Sequence, residues 1–298
     1  MVTILGAGRS PLARHAAVRQ GGYGVADRAA DTRVKGDTIT MTRTIVVTGA
    51  ASGIGRATAE LLTARGDTVI GVDLEGTDIS ADLTTHEGRD HMVARVRELT
   101  GGTLDGVVAN AGLARELPAT VGVNYFGALA TLEGLRPLLA NSTTPRAVAT
   151  ASMASLFPVD DELVDAMLAH DEPAALHRAT ELIEAGIAST IYGSTKRALA
   201  KWIRRNAATD EWAGAGIALN AVAPGVMRTA MTAKMMATPE AEAQLLTQVP
   251  MPLNGIGNPE TVAHLIGYLT SVENTHLCGQ VVFIDGGSDV VIRGDSTW

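Results

Sequence analysis

Tyr192 and Lys196 stand four residues apart in Tyr-Gly-Ser-Thr-Lys, at the opening of a run, KRALAKWIRR, that reads as helical. On a helix, positions i and i+4 share a face. A free tyrosine has a pKa of about 10 and is a poor base at neutral pH. An ammonium beside it favours the phenolate and lowers that pKa. Such a pair suits proton donation to a ketone oxygen, or proton removal from an alcohol. Taken alone, the spacing is equally that of a surface tyrosine and a solvated lysine.

A second chemical feature lies far upstream. Thr48-Gly49-Ala50-Ala51-Ser52-Gly53-Ile54-Gly55 follows an apolar run and precedes a helical one. Glycines allow a tight turn and let the backbone come close to a pyrophosphate. The helix start then offers free N–H groups and the positive end of its dipole. Asp73 ends the next apolar run, 18 residues after Gly55. An acid there accepts hydrogen bonds from ribose hydroxyls and repels a 2′-phosphate. With no arginine or lysine in the glycine loop, the site reads as one for NAD rather than NADP. The plainer alternatives are an ordinary strand–helix turn and a solvated carboxylate at a strand end.

The elements around these residues alternate. Buried strands are expected over Thr44–Thr48, Thr68–Asp73, 104–109 and from 147, and helices over 54–65 (closed by Gly66), 90–99 and, at least in part, 117–139. Such alternation builds right-handed βαβ units. The expected fold is α/β: a single-domain, Rossmann-type doubly wound parallel sheet with helices on both faces, over 41–298. Aromatics are only 3% of the 298 residues, so aliphatic residues and glycine must fill the core. Residues 1–40 carry Arg9, Arg14, Arg19, Arg28, Arg33 and Lys35 against three aspartates. They are expected to be a disordered extension, or to lie upstream of a true start at Met41. Ile4–Gly8 hints at a dinucleotide loop, but Pro11 occupies the third glycine position of GxGxxG.

These motifs, in this order, resemble the short-chain dehydrogenase/reductase family over residues 44–287. The TGxxxGxG loop is the family's spacing. Asp82-Leu83 is similar to its adenine-contacting pair, and Asn110-Ala111-Gly112 to its motif after the next strand. Pro224-Gly225-Val226-Met227-Arg228-Thr229 resembles the nicotinamide segment, with Thr229 near the carboxamide or phosphates, and 279–287 the last strand. The resemblance implies that Ser152, at a strand end, bonds the substrate oxygen. It makes Asn124 support a water-linked proton relay to Lys196, and gives Tyr192 and Lys196 cofactor contacts as well as catalysis.

From Ser152 to Tyr192 is 40 residues, where most of the family has about a dozen. The insertion, at about 157–190, reads as two helices, over 160–170 and 173–185. It resembles that of bacterial 3α-hydroxysteroid dehydrogenase/carbonyl reductases, as do Val69 to Asp82, the VNYFGA segment and the tail after FIDGG. That resemblance implies an apolar alcohol or ketone substrate and a homodimer. A group oxidising coniferyl-type or aryl alcohols shares the layout. Met227, Met231, Met235 and Met236 suit a bulky apolar ligand or, equally, ordinary packing. Net charge −8 argues against nucleic-acid and membrane-surface partners. The single Cys278 allows no intrachain disulfide, which fits a reducing cytoplasm. The seven histidines show no metal-ligand spacing.

Overall fold

A computed structural model describes residues 42–296. The expectation for residues 1–40 lies outside them.

Short apolar runs become strands buried on both faces. In β1 (Thr44–Thr48), Val46 joins one core while Ile45 and Val47 join another on the opposite face. β4 (Gly106–Ala109) and β5 (Arg146–Thr150) divide in the same way, Val107 and Ala147 on one side, Val108 and Val148 on the other. Period-two alternation with no polar face is the mark of a parallel sheet covered by helices. With β2 (Thr68–Asp73), β3 (Ile79–Ser80), β6 (Ala218–Pro224) and β7 (Val281–Ile284) the described residues form a seven-stranded sheet in the order β3-β2-β1-β4-β5-β6-β7. All of its pairings are parallel. The order reverses between β1 and β4, and in such sheets ligands bind where the strands end at that crevice.

One face is covered by α1 (Gly53–Ala64) and α9 (Pro259–Leu269), which pack together. The larger core on the other face is built by α2 (His86–Thr100), α4 (Ala128–Leu139) and α7 (Thr190–Asn206). α7 buries Ile191, Ala198, Leu199, Trp202 and Ile203, a stripe at helical spacing. Trp202 meets Trp212 edge to face at 5.9 Å, and both are buried.

Some boundaries differ from expectation for local reasons. α2 begins four residues before 90, because the Thr85 side chain accepts from Gly88 N and caps it. The strand expected from 104 is paired only from Gly106 in β4; Leu104 N turns to the Leu138 carbonyl. The helix expected over 117–139 is α3 (Pro118–Val121), a π-helical turn at Gly122–Gly127, then α4. α8 (Pro239–Gln248) and α9 were not anticipated, although Thr238-Pro239-Glu240 and Asn258-Pro259-Glu260 put a cap residue, a first-turn proline and an acid in sequence. A short α10 (Ser288–Arg293) follows β7.

The insertion contains two helices, α5 (Asp161–Leu168) and α6 (Glu172–Glu184). Asp160 caps α5 through Leu163 N and accepts two bonds from Arg178 of α6, at 3.0 and 2.8 Å. The Arg178 guanidinium holds the Asp160 carboxyl below its usual range. Asp160 N donates to Ser194 Oγ on α7, two residues after Tyr192, so the insertion is fastened to the helix that carries the Tyr-Lys pair.

The Trp202–Trp212 contact secures α7 at the end of the sheet away from the strand C-termini. Trp212→Ala should therefore cost about 3–5 kcal/mol. Urea unfolding at matched pH measures it; a loss under 1 kcal/mol would show that the pair is not part of the core.

Candidate active site

β1, β2, β4, β5 and β6 end at one cleft, lined at their C-termini by Gly49, Asp73, Asn110, Thr150 and Pro224. Its floor is the glycine loop. Gly49 has φ +71°, and a Cβ there would fall 2.9 Å from Asn110 Nδ2. Gly55 has no room either, since a Cβ would overlap the Gly49 carbonyl. Thr48 Oγ1 locks the crossing by accepting from Asn110 N and Ala111 N, both at 3.0 Å. Asn110 in turn accepts from Thr150 Oγ1 at 3.1 Å. Ser52 precedes α1 with extended backbone but makes no capping bond, and the first turn holds no acid. Its N–H groups are thus left for an anion from outside the chain. A backbone cradle and an uncapped helix start fit the pyrophosphate of a dinucleotide.

Asp73 lies at one end of the cleft. Oδ2 accepts from Ala51 N at 2.9 Å and Oδ1 from Leu74 N at 2.8 Å, so the carboxylate is fixed but keeps lone pairs free. Asp82 and Leu83 line the same end; Asp82 Oδ1 is also engaged by Thr84 N and Oγ1, at 2.9 and 2.7 Å.

Ser152, Tyr192 and Lys196 meet at the other end. Ser152 lies two residues beyond the end of β5 and caps a 3₁₀ turn (Met153–Leu156) by accepting from Ala154 N. Lys196 is 4% exposed; its Nζ donates to the Thr150 carbonyl at 2.8 Å and lies 5.8 Å from the centre of the Tyr192 ring. Burial lowers its pKa to about 8. Tyr192 differs from the expectation of a lowered pKa. Here burial pushes the phenol up, and an interaction with the Ser152 hydroxyl pulls only part of the way back. The ammonium is turned toward Thr150, so desolvation prevails.

Ser52, Gly53, Ile54, Ala111, Gly112, Gly225 and Thr229 also line the cleft. Gly55, Asn124 and Val226 do not. Gly55 shapes the loop from behind. Val226 packs against a small core with Met251 and Ile256. Asn124 sits in the π turn, fully buried behind Gly112. It accepts from Leu113 N at 2.7 Å and donates to Leu113 O at 2.9 Å and to Thr195 Oγ1 at 3.1 Å. Thr195 Oγ1 then donates to the Tyr192 carbonyl at 2.7 Å. Of the four methionines, Met227 and Met231 reach the cleft. Thr48, Thr150, Thr195 and Thr232 were missed; Thr232 Oγ1 bonds the Met227 and Thr229 carbonyls and braces that loop. A threonine gives no sign in sequence of whether it braces a site.

Residues 43–164 match the family model described as short chain dehydrogenase, and residues 177–289 that of enoyl-(acyl carrier protein) reductase. The stretch between the two matches falls in the insertion. The chain is 34% identical over 254 residues to 3-alpha-hydroxysteroid dehydrogenase/carbonyl reductase of Comamonas testosteroni, covering 84% of this chain and 97% of that one. The chain belongs to the short-chain dehydrogenase/reductase family. A solved structure of 3-alpha-hydroxysteroid dehydrogenase from Pseudomonas sp. B-0831, complexed with NADH, is similar with a TM-score of 0.77 and 39% identity. The match covers 85% of this chain and 99% of that one. The 3-oxoacyl-[acyl-carrier-protein] reductase of Thermotoga maritima is 29% identical, covering 81% of this chain and 96% of its own. As a short-chain dehydrogenase/reductase the protein is an oxidoreductase acting on alcohol and ketone groups, with a nicotinamide dinucleotide cofactor. No described helix is long and apolar enough to cross a membrane.

The buried ammonium yields a test in which stability and activity move oppositely. Lys196→Met removes a charge held in the interior, so the ligand-free variant should be more stable than wild type at pH 7 while turnover falls at least about 100-fold. The folded pKa of about 8 lies below the ordinary 10.5, so the cost of burial is full below pH 8 and is lost as pH rises toward 10.5. The stability gap, followed by thermal unfolding, should therefore close across that window. A variant less stable than wild type at pH 7 would mean that Lys196 is a net stabilising contact.

Proposed function

We propose that the protein is an NAD-dependent oxidoreductase interconverting a secondary alcohol and a ketone on a bulky apolar skeleton, of the 3α-hydroxysteroid dehydrogenase/carbonyl reductase type. The observation that carries this is the convergence of Ser152, Tyr192 and Lys196 at one end of a cleft whose other end holds a fixed carboxylate, Asp73. Support for the substrate class comes from the insertion, from Met227 and Met231 in the cleft wall, and from the likeness to steroid-active relatives.

In this reading Gly49, Ser52, Gly53 and Ile54 hold the pyrophosphate, with Gly55 shaping the loop. Asp73 holds the adenosine ribose, while Asp82 and Leu83 flank the adenine. Asn110, Ala111 and Gly112, with Pro224, Gly225 and Thr229, border the nicotinamide half, backed by Val226. The bound nicotinamide supplies or accepts the hydride. Tyr192 donates the proton to the carbonyl oxygen, or takes it from the hydroxyl in the reverse direction. Ser152 bonds that same oxygen and orients it. Lys196 stabilises the phenolate that forms and contacts the cofactor. Asn124 acts on this machinery through Thr195 and the backbone of Leu113. The catalytic unit is residues 41–298, working as a cytoplasmic homodimer without nucleic-acid or membrane partners.

Asp73 sets the cofactor. Its charge would face a 2′-phosphate at close range, so kcat/KM should favour NAD over NADP by roughly a hundredfold. Asp73→Ser should narrow that ratio. Equal efficiency of wild type with both cofactors would overturn the assignment.

A substrate panel with NAD+, read by NADH absorbance, tests the rest. Burial of a rigid skeleton contributes about 25 cal/mol per Å² of apolar area. An androsterone-like 3α-hydroxysteroid should therefore bind far more tightly than a short secondary alcohol. Good turnover of coniferyl alcohol with no turnover of any steroid would overturn the substrate class and leave the family intact.

A further inference from the structure

Arg89 has no place in the chemistry above, yet it is one of the most heavily bonded side chains in the fold. It lies in the first turns of α2 and is 5% exposed. Its Nε donates to the Leu83 carbonyl at 2.8 Å. One terminal nitrogen donates to the Thr84 and Gly122 carbonyls, both at 3.1 Å. The two terminal nitrogens then grip both oxygens of Glu172, each at 2.7 Å. Phe126 of the π turn lies under the guanidinium, 5.9 Å away. His86 approaches the same carboxylate from the solvent side, at 3.4 Å.

Three stretches distant in sequence therefore meet on one planar group. Leu83 and Thr84 form part of the cleft wall. Gly122 opens the π turn that carries Asn124. Glu172 is the first residue of α6, in the insertion, and is itself 9% exposed. A guanidinium presents its donors in a rigid fork, and a carboxylate bound at both prongs fixes the plane in which the remaining donors point. Glu172 thus sets the direction in which Arg89 holds the Leu83 and Thr84 carbonyls.

We propose that the Arg89–Glu172 pair makes the helical insertion a determinant of dinucleotide affinity, by fixing the Leu83–Thr84 wall of the cleft. This rests on the reading that Asp82 and Leu83 flank the adenine. Arg89 and Glu172 are positioning residues: neither lines the cleft. Their effect belongs to binding, because the Leu83–Thr84 wall lies at the Asp73 end, away from Ser152 and Tyr192, whereas Asn124 in the π turn is held in place by its own bonds to Leu113 and Thr195. A shift of the wall moves the adenine half and leaves the reacting end as it was.

The test is NADH binding, followed by the change in NADH fluorescence, beside steady-state kinetics on the full chain. Glu172→Gln keeps the volume and removes the charge; its Kd for NADH should rise about tenfold, with kcat at saturating cofactor within twofold of wild type. Glu172→Asp, which keeps the carboxylate, should recover most of the affinity. The double variant Arg89→Met/Glu172→Met replaces the pair by apolar side chains and avoids an uncompensated buried charge. It should unfold at a urea concentration near that of wild type yet bind NADH as weakly as Glu172→Gln. Trp212→Ala is the control for instability alone, with a lower urea midpoint and an unchanged Kd. Wild-type affinity in the double variant, or a kcat loss in step with the Kd change, would overturn the proposal. Failure of the wild-type protein to bind NADH would instead overturn the dinucleotide reading beneath it.

Discussion

Lys196 takes an ammonium group to a place that water scarcely reaches. Among the described residues its hydrogen-bond acceptor is the Thr150 carbonyl, at the end of β5. A cation with three donors and so little solvent is unfavourable unless the structure around it is stiff enough to prevent its escape. α7 supplies that stiffness. Its stripe from Ile191 to Ile203 is sunk in the larger core, and the helix can neither roll nor slide without exposing it. The same immobility fixes Tyr192 one turn earlier, and Ser194 in turn receives the insertion through Asp160.

The cleft is organised by backbone groups as much as by side chains. Thr48, Asn110 and Thr150 join the ends of three neighbouring strands through short bonds to main chain and to one another. The Gly49 turn fits against Asn110 and Ala111 because it lacks a Cβ. Asp73 keeps its carboxylate steady with two backbone N–H groups. Preorganised groups of this kind need little rearrangement when a ligand arrives.

Much of this was legible in the sequence, and the reasons are specific. β1, β2 and β5 read as strands because side chains buried on both faces leave continuous apolar runs. α1 was legible from its closing Gly66, which adopts φ +94°. The start of α2 was misread because Thr85 is followed at the third helical position by Gly88, not by an acid that would complete a capping box. The π turn at Gly122–Gly127 has no compositional mark, for one extra residue in a turn shifts the helical phase without altering which residues are apolar. Asn124 was found by resemblance, while its hold on Leu113 and Thr195 needed coordinates. Spacing placed Lys196 beside Tyr192, but not the direction of the ammonium or the degree of desolvation, and those decide the state of the phenol. Arg89 stands in a charged stretch, GRDHMVARVRE, where nothing in the local pattern sets it apart from its neighbours. Its acceptors come from Leu83, Thr84, Gly122 and Glu172, which no local pattern connects.

The strand order also bears on how the chain is made. Of the described strands β1 is synthesised first, but it lies inside the sheet, between β2 and β4. From the time β2 pairs with it until residues 106–109 emerge, the other side of β1 is an open row of backbone donors and acceptors flanked by Ile45, Val46 and Val47. Unpaired apolar edges of this kind recruit other chains as readily as their own partner. The nascent protein is therefore most exposed to aggregation over that interval. The fifteen-residue α2 fills nearly half of that interval, and it places charged residues such as Glu87, Arg95 and Glu98 on the segment that waits beside β1.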